Sequence, residues 1–533
     1  MKNEEKSEII IMEEKLKNIN FFKDKEKKTT FFVTLITSII VHFQLYSLVI
    51  TGPDTLINSM YHQADIWEAM LLRFGLDFVQ ALKGNVVSPV LATLMSSILL
   101  GITVVLVTQL LEIKNKYFKY IIALVFAVAP NISATLTFFY CSDAYILGML
   151  LATLAVFLIR KYKEKNWIIL VSGLLIALAM GMYQTYLSVT MVLCVATLLI
   201  DTLTKKERKQ ILINLVKYIL MGIIGIILFY LLSHITLIHK NLSASTYSGA
   251  NSIGLITLLE LPKMLPQAYQ SFFNYFFNDE MIPNTIWKTN WLYIAIFTIL
   301  SISIVYIIIK NKIYKNVFHT ILTIILIIIA PICFGIIEIM VPDVDIHILM
   351  ACSMIYVFPI FFKTLEILPK TAISRDFKYI VAFCSLAIIW IYIWQDNASY
   401  IAMKSMQNQA ESTVLRIVTQ IEQLDEFTPE MPVLFLGGLE NNSYLSRSNT
   451  SIEAKKIYDR SWGFISDNST IWWGNLDSWR KILYEYTGVN LNLVSERECS
   501  EILESEEFKN MKYYPEKDSI KIIDNTVVVK LSD

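Results

Sequence analysis

The chain has 533 residues, of which 55% are hydrophobic and 17% are charged, and its mean hydropathy is +0.51. This composition excludes a protein that is soluble throughout, because the apolar residues form runs long enough to cross a bilayer. The 46 Lys and Arg residues balance the 46 Asp and Glu residues, so no nucleic-acid partner is expected. The composition indicates a polytopic α-helical membrane protein surrounded by the lipid bilayer.

Residues 1–29 alternate Lys and Glu and lack the small-residue cleavage site of a secretory signal, so they are expected to form a cytoplasmic arm. Eleven apolar runs then predict a transmembrane domain over residues 30–395, with long outer loops at 51–87 and 239–290. The predicted spans are residues 30–50, 88–111, 120–139, 144–159, 167–182, 185–200, 211–238, 291–309, 317–340, 346–362 and 379–395.

The loops between these spans are segregated by charge. The basic loops contain Lys114, Lys116, Lys119, Arg160, Lys161, Lys163, Lys165, Lys205, Lys206, Arg208, Lys209, Lys310, Lys312, Lys315, Lys363, Lys370, Arg375 and Lys378. The opposite loops contain Asp54, Asp65, Glu68, Asp77, Asp143, Asp279, Glu280, Asp343 and Asp345. Because basic loops stay in the cytoplasm, eleven spans place the N-terminus inside and the C-terminus outside.

Pro53 and Asp54 follow the first span directly, at its predicted outer end. Proline ends the helix, and a carboxylate there faces lipid headgroups without the desolvation cost of the bilayer centre. This position suits chemistry on a lipid-linked substrate, and a solvated acid beside a helix stop is the alternative. The apolar residues from Trp67 to Phe78 share one helical face, which predicts an amphipathic helix on the membrane. The loop 239–290 repeats this pattern and predicts a second surface helix or lid.

Two short outer segments also carry polar residues. Tyr140 to Tyr145 form a turn so short that Asp143 stays at the membrane interface. Met182 to Tyr186 join two runs of about sixteen residues, which are short for independent spans. They predict a broken hairpin whose polar tip at Gln184 faces a cavity in the protein, and a hydrogen bond between helices is the alternative role for this amide.

Residues 396–533 are less apolar and are expected to form a small extracytoplasmic α/β domain. A helix is predicted over 398–424, a buried strand over Val433–Leu436, and a hairpin over Ser519–Leu531 that turns at Asp524-Asn525. The six cysteines and six histidines show neither a disulfide framework nor metal-ligand spacing.

Several of these motifs follow one another in a fixed order. They are Pro-Asp after the first span, Trp67 to Arg73, Tyr140 to Asp143, Met182-Tyr-Gln-Thr-Tyr-Leu-Ser188, Val433-Leu-Phe-Leu-Gly437, Tyr514-Pro-Glu-Lys-Asp-Ser-Ile520 and Asp524-Asn-Thr-Val-Val-Val-Lys530. Each motif is weak alone, but their order over nearly the whole chain resembles the bacterial glucosyltransferase II family. That family often has two adjacent acids where this chain has Asp54-Thr55, so a role for two acids is not transferred.

The resemblance implies an inverting membrane glycosyltransferase of the GT-C type, with residues 30–395 as its catalytic domain. A hexose, with glucose expected, would move from a polyprenyl-phosphate donor to a surface glycan outside the bacterial cytoplasmic membrane. The expected acceptor is a teichoic acid, a wall polysaccharide or an O-antigen type glycan. The alternative is a polymerase, flippase or transporter of cell-envelope polysaccharide. A flippase, however, is expected to carry cations inside the bundle, and a transporter is expected to carry acids at mid-span.

Transfer of a sugar needs a base near the attacking hydroxyl and cations near the departing phosphate. Asp54 is the candidate base, and Asp143 is the second catalytic candidate. Arg73 and Lys83 are the candidate phosphate-binding cations, although an interfacial anchor is the alternative role for Arg73. The candidate substrate-binding residues also include Trp67, Glu68, Tyr183 and Gln184. A divalent cation, Mg²⁺ or Mn²⁺, held by Asp54 and Asp143 would share the work of the cations.

The charge asymmetry of the loops makes the orientation testable. A cysteine introduced at Thr450 should react with an impermeant thiol reagent in intact spheroplasts, whereas one at Lys163 should react only after permeabilisation. The parent chain, labelled in parallel, controls for its six native cysteines. The reverse pattern would contradict an outer position for the acidic loops.

Overall fold

The computed structural model describes residues 24–49, 51, 53–58, 61–64, 66–252, 260–278, 288–341, 346–438, 444 and 473–532. The predicted outer acids Asp65, Asp279, Glu280, Asp343 and Asp345 lie outside these ranges.

Helices make up most of the described chain. They are α1 Lys25–Val41, α2 Pro53–Ile57, α3 Ile66–Met70, α4 Phe74–Leu82, α5 Pro89–Leu110, α6 Lys116–Val128, α7 Pro130–Leu136, α8 Ser142–Lys161, α9 Ile168–Met182, α10 Tyr186–Leu203, α11 Arg208–His239, α12 Leu261–Phe277, α13 Asn290–Lys310, α14 Val317–Phe334, α15 Ile336–Met340, α16 Val357–Ile367, α17 Ala372–Glu422, α18 Trp473–Ile482, α19 Ser500–Glu504 and α20 Glu506–Lys509. Short 3₁₀ helices cover Phe43–Ser47, Tyr247–Ser252, Ile313–Lys315 and Ile348–Tyr356, and a π-helical turn covers Leu483–Thr487.

Eight helices of the described residues are long and apolar enough to cross a membrane, and a ninth candidate is the pair α6 and α7, bent by 45°. Pro130 begins α7, so the bend falls where proline interrupts the backbone ladder. Two other predicted spans are shorter helices, with 17 residues in α1 and 15 in α9. The protein is a polytopic helical membrane protein, while the count of eleven spans stays a prediction.

The helices share a large buried apolar core, and small and polar residues let several of them approach closely. A Cβ placed on Gly225 of α11 would lie 3.2 Å from the Gly173 carbonyl of α9. Hydroxyl groups also meet between helices, as where the Ser38 and Ser97 oxygens lie 2.8 Å apart between α1 and α5. Both contacts are typical of membrane bundles. Lipid is as apolar as the helices, so close packing and interhelical hydrogen bonds drive their association.

The first outer loop differs from the predicted surface helix. Two short helices, α3 and α4, replace one long helix, because the chain turns at Leu72 with a φ of 60°. Leu71 and Leu76 are buried, and so is the polar Gln80, whereas Phe78 is 65% exposed. The loop therefore packs into the bundle instead of lying flat beside it. The amphipathic pattern identified apolar residues but not the element that covers them.

The second outer loop contains the predicted helix as α12. Its buried residues pack against α13, α14 and α15. A Cβ on Gly335, between α14 and α15, would lie 2.6 Å from the Ala268 carbonyl of α12. This close contact shows a helix seated in the bundle rather than a detached lid.

In its described residues, the end of the chain forms a four-stranded sheet in the order β2-β1-β4-β3. The strands are β1 Pro432–Leu436, β2 Asn492–Leu493, β3 Ile520–Ile523 and β4 Thr526–Lys530. β1 is parallel to β2 and β4, and β3 pairs antiparallel with β4. Asp524 and Asn525 have positive φ values of 45° and 59°, as a two-residue hairpin turn requires. The predicted strand and hairpin are therefore confirmed.

The last predicted span and the helix predicted over 398–424 form one continuous helix, α17, of 51 residues. No glycine or proline interrupts α17, so nothing stops the helix between its apolar and polar halves. At 1.5 Å per residue it is about 76 Å long, more than twice the hydrocarbon thickness of a bilayer.

The turn after β1 gives a stability prediction. Gly437→Ala should lower the unfolding temperature, because the new Cβ would lie 2.6 Å from the Ser532 nitrogen at a φ of +76°. The matched control is Gly488→Ala, where φ is +70° but no atom lies within 4 Å. The left-handed backbone costs about 1–2 kcal/mol in both variants, and overpacking should add about 1–3 kcal/mol only at Gly437. Equal shifts in a thermal unfolding assay would contradict the packing argument.

Candidate active site

A buried hairpin tip forms the base of the candidate site. Between α9 and α10 the helical ladder breaks at Tyr183–Thr185, and all three residues are buried. Gln184 donates from Nε2 to the Leu71 carbonyl at 2.7 Å, and Thr185 donates its hydroxyl to the Met350 carbonyl. The predicted break in the hairpin is present and its tip faces protein, but Gln184 makes a hydrogen bond to another segment, which was the alternative role for its amide.

Two glycines let the first outer loop reach this hairpin. A Cβ on Gly75 would lie 2.7 Å from the Met182 sulfur, and one on Gly181 would lie 2.4 Å from the Phe74 ring. Glycine at both positions removes the side chains that would separate α4 from α9. The close packing of α4 on α9 places Arg73, at the start of α4, beside the hairpin tip.

Arg73 is half-buried against aromatic rings. Its guanidinium carbon lies 4.5 Å from the centre of the Tyr183 ring, and its Nη1 donates to the Tyr145 hydroxyl at 3.1 Å. The two tyrosine rings stack with centroids 4.9 Å apart. The Nε of Arg73 is buried without a hydrogen-bond partner, and no carboxylate in the described part of the chain forms an ion pair with this residue. The guanidinium is therefore placed to receive an anion.

Asp143 and Lys83 form the second charged contact of the site. Asp143 lies buried in the first turn of α8, and Lys83 Nζ is 2.8 Å from its Oδ1. The Ala144 backbone N–H donates to the same oxygen at 3.0 Å. The pair ties the end of α4 to the bundle, and its two charges compensate each other.

Tyr140 lies between several acidic and aromatic groups. The His62 ring is 5.1 Å from the Tyr140 ring, and His62 Nε2 is 2.9 Å from Oε1 of the buried Glu68. Burial raises the pKa of the Tyr140 hydroxyl well above its usual range, and nearby Cys141, Asp54 and Glu68 raise it further. His62 therefore links Tyr140 to the Glu68 carboxylate.

Asp54 lies half-buried in α2, and hydrogen bonds hold this short helix at its start. The Thr51 hydroxyl donates to the Thr137 carbonyl at 2.6 Å, and the Thr51 N–H donates to the Thr55 hydroxyl oxygen at 2.9 Å. The Asn58 side chain donates to the Asp54 carbonyl at 2.7 Å. The turn that bears Asp54 is therefore fixed to the segment that leads to Tyr140.

The family comparison covers this whole assembly. The family model described as Glucosyl transferase GtrII matches residues 54–358. The chain belongs to this family. Its apolar helices and its family membership together make it a membrane glucosyltransferase, and the resemblance read from the sequence is confirmed. No curated protein and no solved structure gives a match.

Most predicted site residues of this GtrII protein lie in the contacts described above, and Trp67 is the exception among them. Trp67 is 40% exposed, and its ring lies 5.4 Å from the Tyr247 ring. Gln184 uses its amide N–H to hold the Leu71 carbonyl. Sequence reasoning missed Tyr145 and His62 as neighbours of the site. Tyr145 lies two residues after Asp143, which is a usable signal, whereas only contacts across space reveal His62.

The two acids considered for a divalent cation do not form a complete ligand set. Within the described ranges, no group of three His, Cys, Asp or Glu side chains is arranged to hold a metal ion. Asp143 instead contacts Lys83. The roles proposed below are therefore given to side chains of the chain itself.

The surroundings of Arg73 lead to a test of its charge geometry. Arg73→Lys should reduce glucosyl transfer about tenfold or more, because an ammonium keeps the charge but not the planar set of donors. The matched control is Arg375→Lys, since Arg375 is 65% exposed and pairs with its neighbour Asp376. Initial rates of labelled glucose transfer in membranes measure both variants. Full activity of Arg73→Ala would show that Arg73 is only an anchor.

Proposed function

We propose that the protein transfers glucose from a polyprenyl-phosphate donor to a surface glycan outside the bacterial cytoplasmic membrane. The observation that carries this proposal is the half-buried Arg73 guanidinium, whose Nε has no hydrogen-bond partner and which stacks on Tyr183. A buried donor without an acceptor costs about 1–3 kcal/mol, and a phosphate oxygen would offset that cost. The acceptor class is a teichoic acid, a wall polysaccharide or an O-antigen type glycan.

Arg73 binds the donor phosphate in this proposal. During transfer the bond between the anomeric carbon and the phosphate oxygen breaks, and the polyprenyl phosphate gains negative charge. A fixed guanidinium stabilises that charge without reorganisation during the reaction. The phosphate is already a good leaving group, so no general acid is required. Lys83 adds positive charge nearby, although its ammonium is engaged by Asp143.

Asp54 takes the proton of the attacking hydroxyl. The acceptor oxygen forms a bond to the anomeric carbon from the face opposite the phosphate, so the stereochemistry inverts. Its proton moves to the Asp54 carboxylate late in the transition state. Support comes from the half-buried position of Asp54 and from the hydrogen bond by which Thr51 fixes its turn to the Thr137 carbonyl. Asp143 is the second candidate for this role.

The remaining residues bind and orient the sugar. The stacked rings of Tyr145 and Tyr183 offer an aromatic wall, and the exposed Trp67 offers another apolar surface to a sugar or prenyl chain. Glu68 is held by His62 and offers its second oxygen to a sugar hydroxyl. An outer position for these residues, and for residues 396–533, is part of the proposal.

Replacement of Asp54 tests the proposal at its centre. Asp54→Asn keeps the size of the side chain but not its ability to accept a proton, so transfer should fall about 100-fold to 10,000-fold. Folding, insertion and donor binding should be retained. The assay measures transfer from polyprenyl-phosphoglucose by purified protein in liposomes.

The control is Asp77→Asn in the same outer loop. The Asp77 side chain is 44% exposed and lies 2.9 Å from Lys240, so its replacement should leave transfer near the parent rate. If Asp54→Asn transferred glucose at the parent rate, Asp54 would be removed from catalysis and Asp143 would become the candidate.

A further inference from the structure

The segment between α1 and Asp54 runs beside the long helix α17. His42 Nδ1 lies 2.7 Å from the Tyr400 hydroxyl, next to the end of α1. Further along, Lys404 donates to the Ser47 carbonyl at 3.4 Å. The Val49 N–H then donates to the Gln407 side chain at 3.2 Å. The three contacts follow the same order along both segments. The chain from His42 to Val49 therefore runs parallel to α17 and is held by it almost up to α2.

The support continues into the C-terminal module, here the described residues 410–438 and 473–532. Leu56 of α2 is fully buried in the same apolar cluster as Val414 of α17 and Trp479 of α18. α18 packs directly on α2. The Trp479 ring in turn stacks on Phe435 of β1, with centroids 4.2 Å apart. The helix that bears Asp54 is therefore anchored in the core of the sheet module.

The helical spacing gives this anchor a consequence for Asp54. Residues two apart on a helix point about 200° away from each other, so burying Leu56 in the module turns Asp54 away from it. Thr51 holds the opposite end of the same turn on the Thr137 carbonyl. The position of the carboxylate is thus determined by the module on one side and by the bundle on the other.

We propose that the C-terminal module is a positioning element of the active site, and that Leu56 is the residue through which it places Asp54. The inference rests on the proposed role of Asp54 as the base. Most of the module lies beyond residue 358, where the family match ends, so that match does not cover it.

The test compares two leucines of one core in the full-length protein. Leu56→Ala should lower kcat about tenfold or more, as expected when a base is displaced, and should leave KM for polyprenyl-phosphoglucose within twofold, because Arg73 lies on another element. The control is Leu493→Ala on β2, whose side chain is buried in the same cluster. Leu493→Ala removes the same atoms from this apolar cluster but leaves α2 unchanged, so kcat should stay within twofold. Leu56→Met should restore most of the rate.

A double variant separates positioning from general destabilisation. If Leu56 acts through Asp54, adding Leu56→Ala to Asp54→Asn should not lower transfer further, because the base is already absent. A structural role would instead multiply the two losses. The acceptor in these assays is the surface glycan isolated from a strain that lacks this protein.

Each result decides one of the two proposals. Equal kcat for Leu56→Ala and the parent, equal losses for Leu56→Ala and Leu493→Ala, or multiplied losses in the double variant would overturn the positioning role. If Leu56→Ala does not reach the membrane, Leu56→Val and Leu493→Val replace the pair, with a kcat loss of about threefold expected only for Leu56→Val. A parent rate for Asp54→Asn alone would instead remove Asp54 as the base, the proposed role on which this inference rests.

Discussion

The position of Arg73 depends on satisfying irregular backbone inside a helical bundle. Backbone groups outside a helix need partners in the protein when they lie among membrane helices. The Leu71 carbonyl accepts from Gln184, and the Arg73 N–H donates to the Glu68 carbonyl at 2.8 Å. These bonds hold the turn at Leu72 against the hairpin tip. The guanidinium reaches the tyrosine stack because its own backbone is held in this way.

The charged side chains of the site differ in whether a partner compensates their charge. Lys83 and Asp143 compensate each other, and such a buried pair adds little net stability because desolvation offsets attraction. The pair therefore adds no net charge to the site. Burial raises the pKa of the Cys141 thiol to about 12, so this group adds no charge. Arg73, by contrast, has no carboxylate partner among the described residues.

The sequence predicted the elements that depend on local pattern. Apolar runs marked the helices, the short runs around Gln184 marked the broken hairpin, and Asp524-Asn525 marked the sheet hairpin, because turn and span lengths are local properties. Contacts between distant segments could not be predicted in this way. Nothing near Lys83 indicates that it meets Asp143, and the apolar face of the first loop was assigned to lipid instead of protein.

The long helix α17 connects the segment before Asp54 to the C-terminal module. It passes from the bundle to the sheet without a glycine or proline, so it has no local hinge. The segment from His42 to Val49 is bonded to it, and Leu56 is buried where the helix enters the sheet core. A displacement of the module would therefore move α2, while the tyrosine stack around Arg73 is held by other helices. If Asp54 and Arg73 have the roles proposed above, the base and the phosphate-binding residue rest on separate supports, and their separation depends on how the module is seated.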